Sequence, residues 1–555
     1  MDPRVDRDSS LLGTSPLGKA GLATIIAIPS AFLLYFFAYP VASITIRGLT
    51  TDGSFSFAVI GHVLTDGPLL SVARFTVVQA LISTVVTVVV AFPAAWAFAR
   101  FDFPGKRALR AATLVPFVLP TLVVGSAFLT IAGPNGAIGV DLTGTLFLIV
   151  VAHSFYNYAI VVRGVGAYWE RIDPHIEDAA RTLGASAFTA FRTVTLPLLR
   201  PVIASTSALV FLFSFTSFGV VLLLGSLKQT TIEVEIWRQT TAFLRLDIAS
   251  TLAVLQLIGV GIILAGYGWF QRTTAVQFEH ATAPTRRPRK GRERIAVTAA
   301  LTSMIVILGT PLLVLVIRSF TNPAGGLGIA NYQNLVRLPE ITAAFVDPID
   351  AIKNSFIVAF MTLAIALVIG GLAAAALTYA SRRVARGFDL FVMLPLGTSA
   401  VTIGFGFLVA LSWPVDLRTS LLLIPIAHAL VAIPFVVRTT TPALGSVRHN
   451  LREAAAVLGA SPWRTWWTID LKIVTPAVVV AAAFAFAISM GEFGATSFIT
   501  RPSFPTIPIA IFKLLGKPGA APFGAAIALS VILMGITGIS MFVIDAIGTR
   551  ASNEL

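Results

Sequence analysis

The sequence predicts an all-α membrane protein of about twelve transmembrane helices, arranged as two parallel six-span repeats. Three observations carry that prediction. Hydrophobic residues make up 56% of the 555-residue chain and charged residues only 12%, about half the charged share of a soluble domain. Apolar runs of bilayer-crossing length recur along the whole chain. One polar segment is also written twice, as EDAARTLGASAFTAFRTVTLP at Glu177–Pro197 and as REAAAVLGASPWRTWWTIDLK at Arg452–Lys472. The matched positions keep a constant offset of 275 residues, as from Asp178 to Glu453, Gly184 to Gly459 and Phe188 to Trp463.

Residues 1–19 are polar, carry Arg4, Arg7 and Lys19, and read as a cytoplasmic tail. The first apolar run, 20–46, is too long for a signal-peptide core and reads as a retained span. Further spans are expected near 70–99, 111–131, 144–165, 201–225 and 247–270. The second half repeats the set near 295–318, 353–380, 388–412, 420–438, 476–499 and 524–546. The first repeat is therefore 20–270 and the second 295–555. Between them, 271–294 is a basic linker holding Arg286, Arg287, Arg289, Lys290, Arg292 and Arg294.

Arginine and lysine set the orientation. Arg100, Lys106, Arg107 and Arg110, their counterparts Arg382, Arg383 and Arg386, the doubled polar segments and the linker are separated by even numbers of spans. They share one side, and the positive-inside rule makes it the cytoplasm, with both termini inside. The net charge of +14 then belongs to cytoplasmic loops and calls for no nucleic acid. The linker reads as a solvated connection, with contact to anionic lipid headgroups as the other reading.

The repeat extends beyond the polar segment. His153 matches His428, Arg163 matches Arg438, Phe218-Gly219 matches Phe493-Gly494 and Thr231-Ile232 matches Thr506-Ile507, all at the same offset. Upstream, Pro116 and Gly125 match Pro395 and Gly404 at an offset of 279. Halves that run in the same direction are related by a pseudo-twofold axis along the membrane normal.

The doubled segment reads as two short helices around a turn. Ala179, Ala180 and Ala454–Ala456 favour helix, with Asp178 and Glu453 near its start, where the helix dipole favours acids. Gly184 and Gly459 interrupt it as glycine does at a left-handed turn. A second helix with bulky aromatics follows, ended by Pro197 in the first copy. Such a knob fits a groove on a partner.

These residues resemble the "EAA" loop of the membrane subunits of ATP-binding-cassette importers, in which an acidic-Ala-Ala triplet precedes a glycine by six positions. The resemblance implies that Asp178, Ala179, Ala180 and Gly184, with Glu453, Ala454, Ala455 and Gly459, couple the chain to two copies of a cytoplasmic ATPase. It also implies an extracytoplasmic solute-binding protein that delivers the cargo, and a place in the bacterial inner membrane. FTSFGVVLLLG…TTIEVEIWRQ and ISMGEFGATSF…FPTIPIAIF are similar to the fused permeases that import thiamine, with the fused iron(III) permeases as close relatives. The resemblance thus implies thiamine as cargo, and iron(III) as the alternative.

No catalytic set emerges. Without a GxxxxGK[ST] loop the chain has no P-loop site for ATP, so ATP and magnesium fall to the partner ATPase and no cofactor is expected here. The absence of cysteine excludes disulfides and thiolate sites. His153 and His428 read as hydrogen-bonding residues between spans. Glu492 lies inside a span, where the first repeat has Ser217; a carboxylate at such depth costs about 2.5–3.5 kcal/mol on insertion scales and marks a cavity or a charged partner. Ser217, Phe218, Glu492 and Phe493 are the candidate pathway residues, since a cationic aromatic cargo wants a carboxylate and ring faces. Glu233 and Glu235 read either as lining the outer mouth or as solvated loop charges. A secondary transporter driven by an ion gradient is the rival class. It calls for ionisable groups deep in several spans and gives no reason for paired loops.

Overall fold

The computed structural model describes residues 16–51, 54–55, 61, 65–273, 285–289, 291–322, 325–341 and 347–553. The tail up to residue 15 and linker residues 274–284 and 290 lie outside the described residues. Apart from a short strand pair, Thr50–Thr51 against Ser54–Phe55, and three isolated bridges, the regular structure of the described residues is helical. Helices meet their backbone hydrogen bonds within themselves, which an apolar environment requires.

Among the described residues, ten helices are long and apolar enough to cross a membrane: α1 Gly21–Gly48, α2 Gly67–Arg100, α3 Leu146–Trp169, α4 Ala187–Phe215, α5 Leu246–Trp269, α6 Arg292–Ser319, α7 Pro348–Tyr379, α8 Leu423–Ser446, α9 Trp463–Gly491 and α10 Ala520–Ser540. The spans expected at 111–131 and 388–412 are instead bent pairs, Lys106–Val118 with Thr121–Ala132 and Arg382–Gly397 with Ala400–Ala410, each folded through 96°. The cause is local. Leu119 precedes Pro120, which disfavours the helical basin, and it is extended at φ −61°, ψ 138°. In the second repeat Thr398 and Ser399 are extended, with Ser399 accepting from Thr402 N as the cap of the next helix.

The spans expected from 201 and 476 begin earlier and end earlier than apolarity suggests. Pro197 does not end a helix. A five-residue π-helical turn, Phe191–Thr195, joins the short helix to the span, and Pro197 sits in the first turn beyond it, where its missing N–H removes little. The second repeat has the same device at Trp466–Asp470. Beyond Phe215 and Gly491 the chain breaks before the separate helices Gly219–Leu224 and Thr496–Ile499.

The chain forms two compact units that do not follow the sequence halves. One holds the described residues up to Arg47, Leu335–Pro518 and those from Ile532 onward; the other holds Gly48–Asn334 and Gly519–Val531. In the former, Leu33 and Phe37 of α1 enter a core with Ala366 and Ile369 of α7, Ile403 and Phe407, and Leu430 and Ile433 of α8. In the latter, Val297 and Ala300 of α6 pack with Ala97 and Phe101 at the end of α2. Each repeat's first span therefore belongs to the unit built from the other repeat.

Candidate functional site

The twin polar segments fold alike. Asp173 caps the helix Pro174–Thr182 by accepting from His175 N at 2.9 Å, and His449–Val457 is its counterpart. Each helix closes on a glycine with left-handed backbone, Gly184 at φ +94° and Gly459 at φ +76°. The following amides donate back into the helix, Ala185 N to Ala180 O at 3.1 Å and Ala460 N to Ala455 O at 2.9 Å, the pattern of a helix terminated by a left-handed residue. Ser186 then accepts from Thr189 N, and Ser461 from Arg464 N, to start the second helix.

These turns present the same residues outward. Leu183 and Leu458 are 89% and 86% exposed, and Phe188 and Trp463 are 70% and 68% exposed. Asp178, Ala179, Glu453 and Ala454 are exposed too, while Ala180 and Ala455 are half-buried. Asp178 stands 3.9 Å from Arg181. In the second copy Trp463, Trp466 and Trp467 pack on one another with centroids 5.4–5.8 Å apart.

The inward-facing residue of each segment lies one position before the acids that sequence singles out. Glu177 Oε2 accepts from the buried Thr195 Oγ1 at 3.0 Å and faces Arg100 at 3.7 Å. At the matched place Arg452 donates from Nε to Asp470 Oδ1 at 2.8 Å and from its Nη2 to Tyr379 OH at 2.9 Å. Sequence reasoning missed both, because Glu against Arg looks like drift between copies.

Two buried polar cores sit deeper, one in each unit. His153 Nδ1 is 3.1 Å from Ser83 Oγ, and its Nε2 is 2.8 Å from Ser217 Oγ. His428 Nδ1 is 2.8 Å from Ser489 Oγ, and its Nε2 is 2.7 Å from Thr496 Oγ1 and 3.1 Å from Glu492 Oε2. Glu492 is buried and ends α9. Its carboxylate accepts from Ala495 N at 2.7 Å, Thr496 N at 3.1 Å and Thr496 Oγ1 at 2.6 Å. A carboxylate accepts only, so the Nε2 that faces it carries the ring hydrogen. The partner that Glu492 meets inside the span is thus a histidine of the same unit.

Phe493 is buried with its ring centroid 5.4 Å from Phe512, and Phe218 is buried 6.4 Å from Trp237. Ser217 and Phe218 belong to one unit and Glu492 and Phe493 to the other. Glu233 and Glu235 are not solvated loop charges. They lie buried in the short helix Ile232–Thr241, where Gln256 Nε2 donates to Glu233 at 3.0 Å and Arg238 and Gln239 donate to Glu235 at 3.1 and 2.6 Å. That helix and its counterpart Ile507–Leu515 start alike. A hydroxyl from the second span of the repeat accepts the first amide, Thr76 Oγ1 from Ile232 N at 3.0 Å and Ser355 Oγ from Ile507 N at 2.7 Å.

Comparison with known proteins agrees with the doubling. The family described as "Binding-protein-dependent transport system inner membrane component" matches twice, over residues 87–274 and 366–553. The thiamine transport system permease protein of Brucella suis biovar 1 (strain 1330) is 28% identical over 468 residues, covering 81% of this chain and 83% of that one. Its namesake in Escherichia coli (strain K12) is 26% identical over 496 residues, covering 84% and 88%. A putative 2-aminoethylphosphonate transport system permease protein of Salmonella paratyphi A (strain ATCC 9150 / SARB42) is 30% identical over 266 residues, covering 48% of this chain and 98% of its own.

Proposed function

The chain belongs to the binding-protein-dependent inner membrane components as a fused, two-half permease of an ABC importer, and from that premise we propose that it carries thiamine inward. As a multi-pass inner-membrane subunit of this class it works with a separate ATPase and a periplasmic binding protein. The finer reading assigns one ATPase subunit to each polar loop, places both termini in the cytoplasm with the arginine-rich loops, and makes thiamine the cargo.

The observation that carries the coupling role is the matched pair of knobs. Two apolar residues on each, Leu183 with Phe188 and Leu458 with Trp463, stand in solvent at equivalent places around a left-handed glycine. Apolar side chains held outward on a capped, rigid turn suit burial in a partner. ATP binding closes the ATPase pair, draws the loops together and opens the passage outward; hydrolysis returns it. The cargo reading is supported by the thiamine-labelled relatives, which span both halves. The aminoethylphosphonate-labelled relative is a half-length chain and leaves a phosphonate as the competing cargo, beside iron(III).

Gly184→Pro and Gly459→Pro test the coupling reading, because proline cannot take positive φ. Each variant is expected to insert normally and to lose transport; normal uptake by both removes the reading. The cargo is tested by entry of labelled thiamine into vesicles containing the full complex and its binding protein. Entry of iron(III) or a phosphonate in its place overturns the thiamine assignment.

A further inference from the structure

The two inward ties beneath the loops occupy equivalent positions. Glu177 and Arg452, like Thr195 and Asp470, are related by the constant offset of the second part of the repeat, and Arg100 and Tyr379 by that of the upstream part. Each tie has the same parts: a residue one turn into the loop's first helix, the last residue of the π-helical turn that opens the following span, and the end of the repeat's second span. In the first copy the loop supplies the acid, with Arg100 and the Thr195 hydroxyl answering it. In the second the loop supplies the cation, answered by Asp470 and Tyr379, whose ring also lies 5.4 Å from the guanidinium. Arrangement is kept and polarity is inverted.

We propose that Glu177 and Arg452 are positioning residues of transport, each the joint that makes its loop move as one body with the two spans behind it. The proposal rests on the loops being the docking sites of the ATPase. Elsewhere the first helix of each loop is mostly exposed, so this joint ties that helix to the spans, beside the continuous helix that carries the loop's second helix into the following span. Buried or half-buried charged hydrogen bonds hold a fixed geometry better than apolar contact does. Inverted polarity also means that neither loop can borrow the other's partners: Glu177→Arg sets two guanidinium groups against a threonine.

The test uses the full complex with its ATPase and binding protein in vesicles, and reads solute moved per ATP hydrolysed, alongside recovery of the ATPase with the chain. Glu177→Arg is expected to retain the ATPase and hydrolyse ATP while its transport per ATP falls about tenfold, in line with coupling between contacting charges. Arg100→Tyr with Glu177→Arg and Thr195→Asp, which installs the second loop's set in the first, is expected to return most of that loss. Glu177→Gln, the milder change, lowers the ratio less. A ratio unchanged in both Glu177→Arg and Glu177→Gln overturns the proposal, and so does a triple variant that inserts and binds ATPase yet couples no better than Glu177→Arg. Failure of the unmodified chain to retain ATPase overturns the docking reading instead.

Discussion

His428 Nε2 stands 3.1 Å from Glu492 Oε2, whereas its counterpart His153 meets the neutral Ser217 Oγ at 2.8 Å. The two repeats thus build the same histidine-centred core with different stakes. Glu492 accepts from two backbone amides and a threonine as well, so Glu492→Ala strands two buried amides and leaves His428 Nε2 and Thr496 Oγ1 only their weaker alternatives. Each stranded donor costs about 1–3 kcal/mol in water and less between spans. Glu492→Ala should destabilise the chain by about 3 kcal/mol, and Ser217→Ala by about 1 kcal/mol. Melting of the purified chain in detergent checks the order; equal losses would show that Glu492 is not the cap of the helical turn it contacts.

Paired glycines make a sharper contrast. A methyl group on Gly404 would lie 2.6 Å from the Ala495 Cα, which is backbone, while one on Gly125 would lie 2.6 Å from the end of the Leu223 side chain. Overpacking costs about 1–3 kcal/mol where neighbours cannot yield. Gly404→Ala should therefore lower the melting temperature more than Gly125→Ala. The reverse order would mean that the Thr496–Ile499 turn moves more freely than Leu223 does.

Thr76 and Ser355 cap helices to which they do not belong. Thr76→Val and Ser355→Ala each leave a buried amide, Ile232 N or Ile507 N, at a cost of about 1–2 kcal/mol. Faster hydrogen exchange confined to peptides covering 231–236 or 506–511 is the expected signature. Unchanged exchange in both would show that water or another acceptor takes over.

Leu183→Ser and Leu458→Ser test docking without disturbing the fold, since both side chains stand in solvent. Burying a leucine side chain stabilises by about 1.5–3 kcal/mol, so each variant should weaken ATPase binding about tenfold or more. Titration of the ATPase onto the chain in nanodiscs measures this. A loss at only one loop would mean that the two docks are unequal.

Much of the fold was legible because spans are long and apolar and because the sequence repeats itself. The bends at Leu119–Pro120 and Thr398–Ser399 were not, since each pair taken together is long and apolar enough to read as one straight span. Nor was the continuity through Pro197, because a π-helical turn has no residue signature of its own. The exposed faces of the loops followed from the spacing of Asp178, Gly184 and Phe188. The ties did not: compensation between Glu177–Thr195 and Arg452–Asp470 shows only when residues eighteen apart are seen to touch. Glu233 and Glu235 stayed open between two readings for a related reason, since a charged pair after a span resembles a loop until Gln256, Arg238 and Gln239 are placed around it.

The exchanged first spans bear on how the protein is made. Tyr39 of α1 donates its hydroxyl to Ala410 O at 3.3 Å, and Leu33 and Phe37 pack on α7 and α8, all of which leave the ribosome more than 300 residues later. At about 5–20 residues per second, α1 waits in the bilayer for a quarter of a minute or more before its seat exists. Until then it lacks the core it packs on, and neither half is expected to mature as an independent product. A gene cut within the linker should accordingly yield two polypeptides that are each degraded when made alone and rescued when made together.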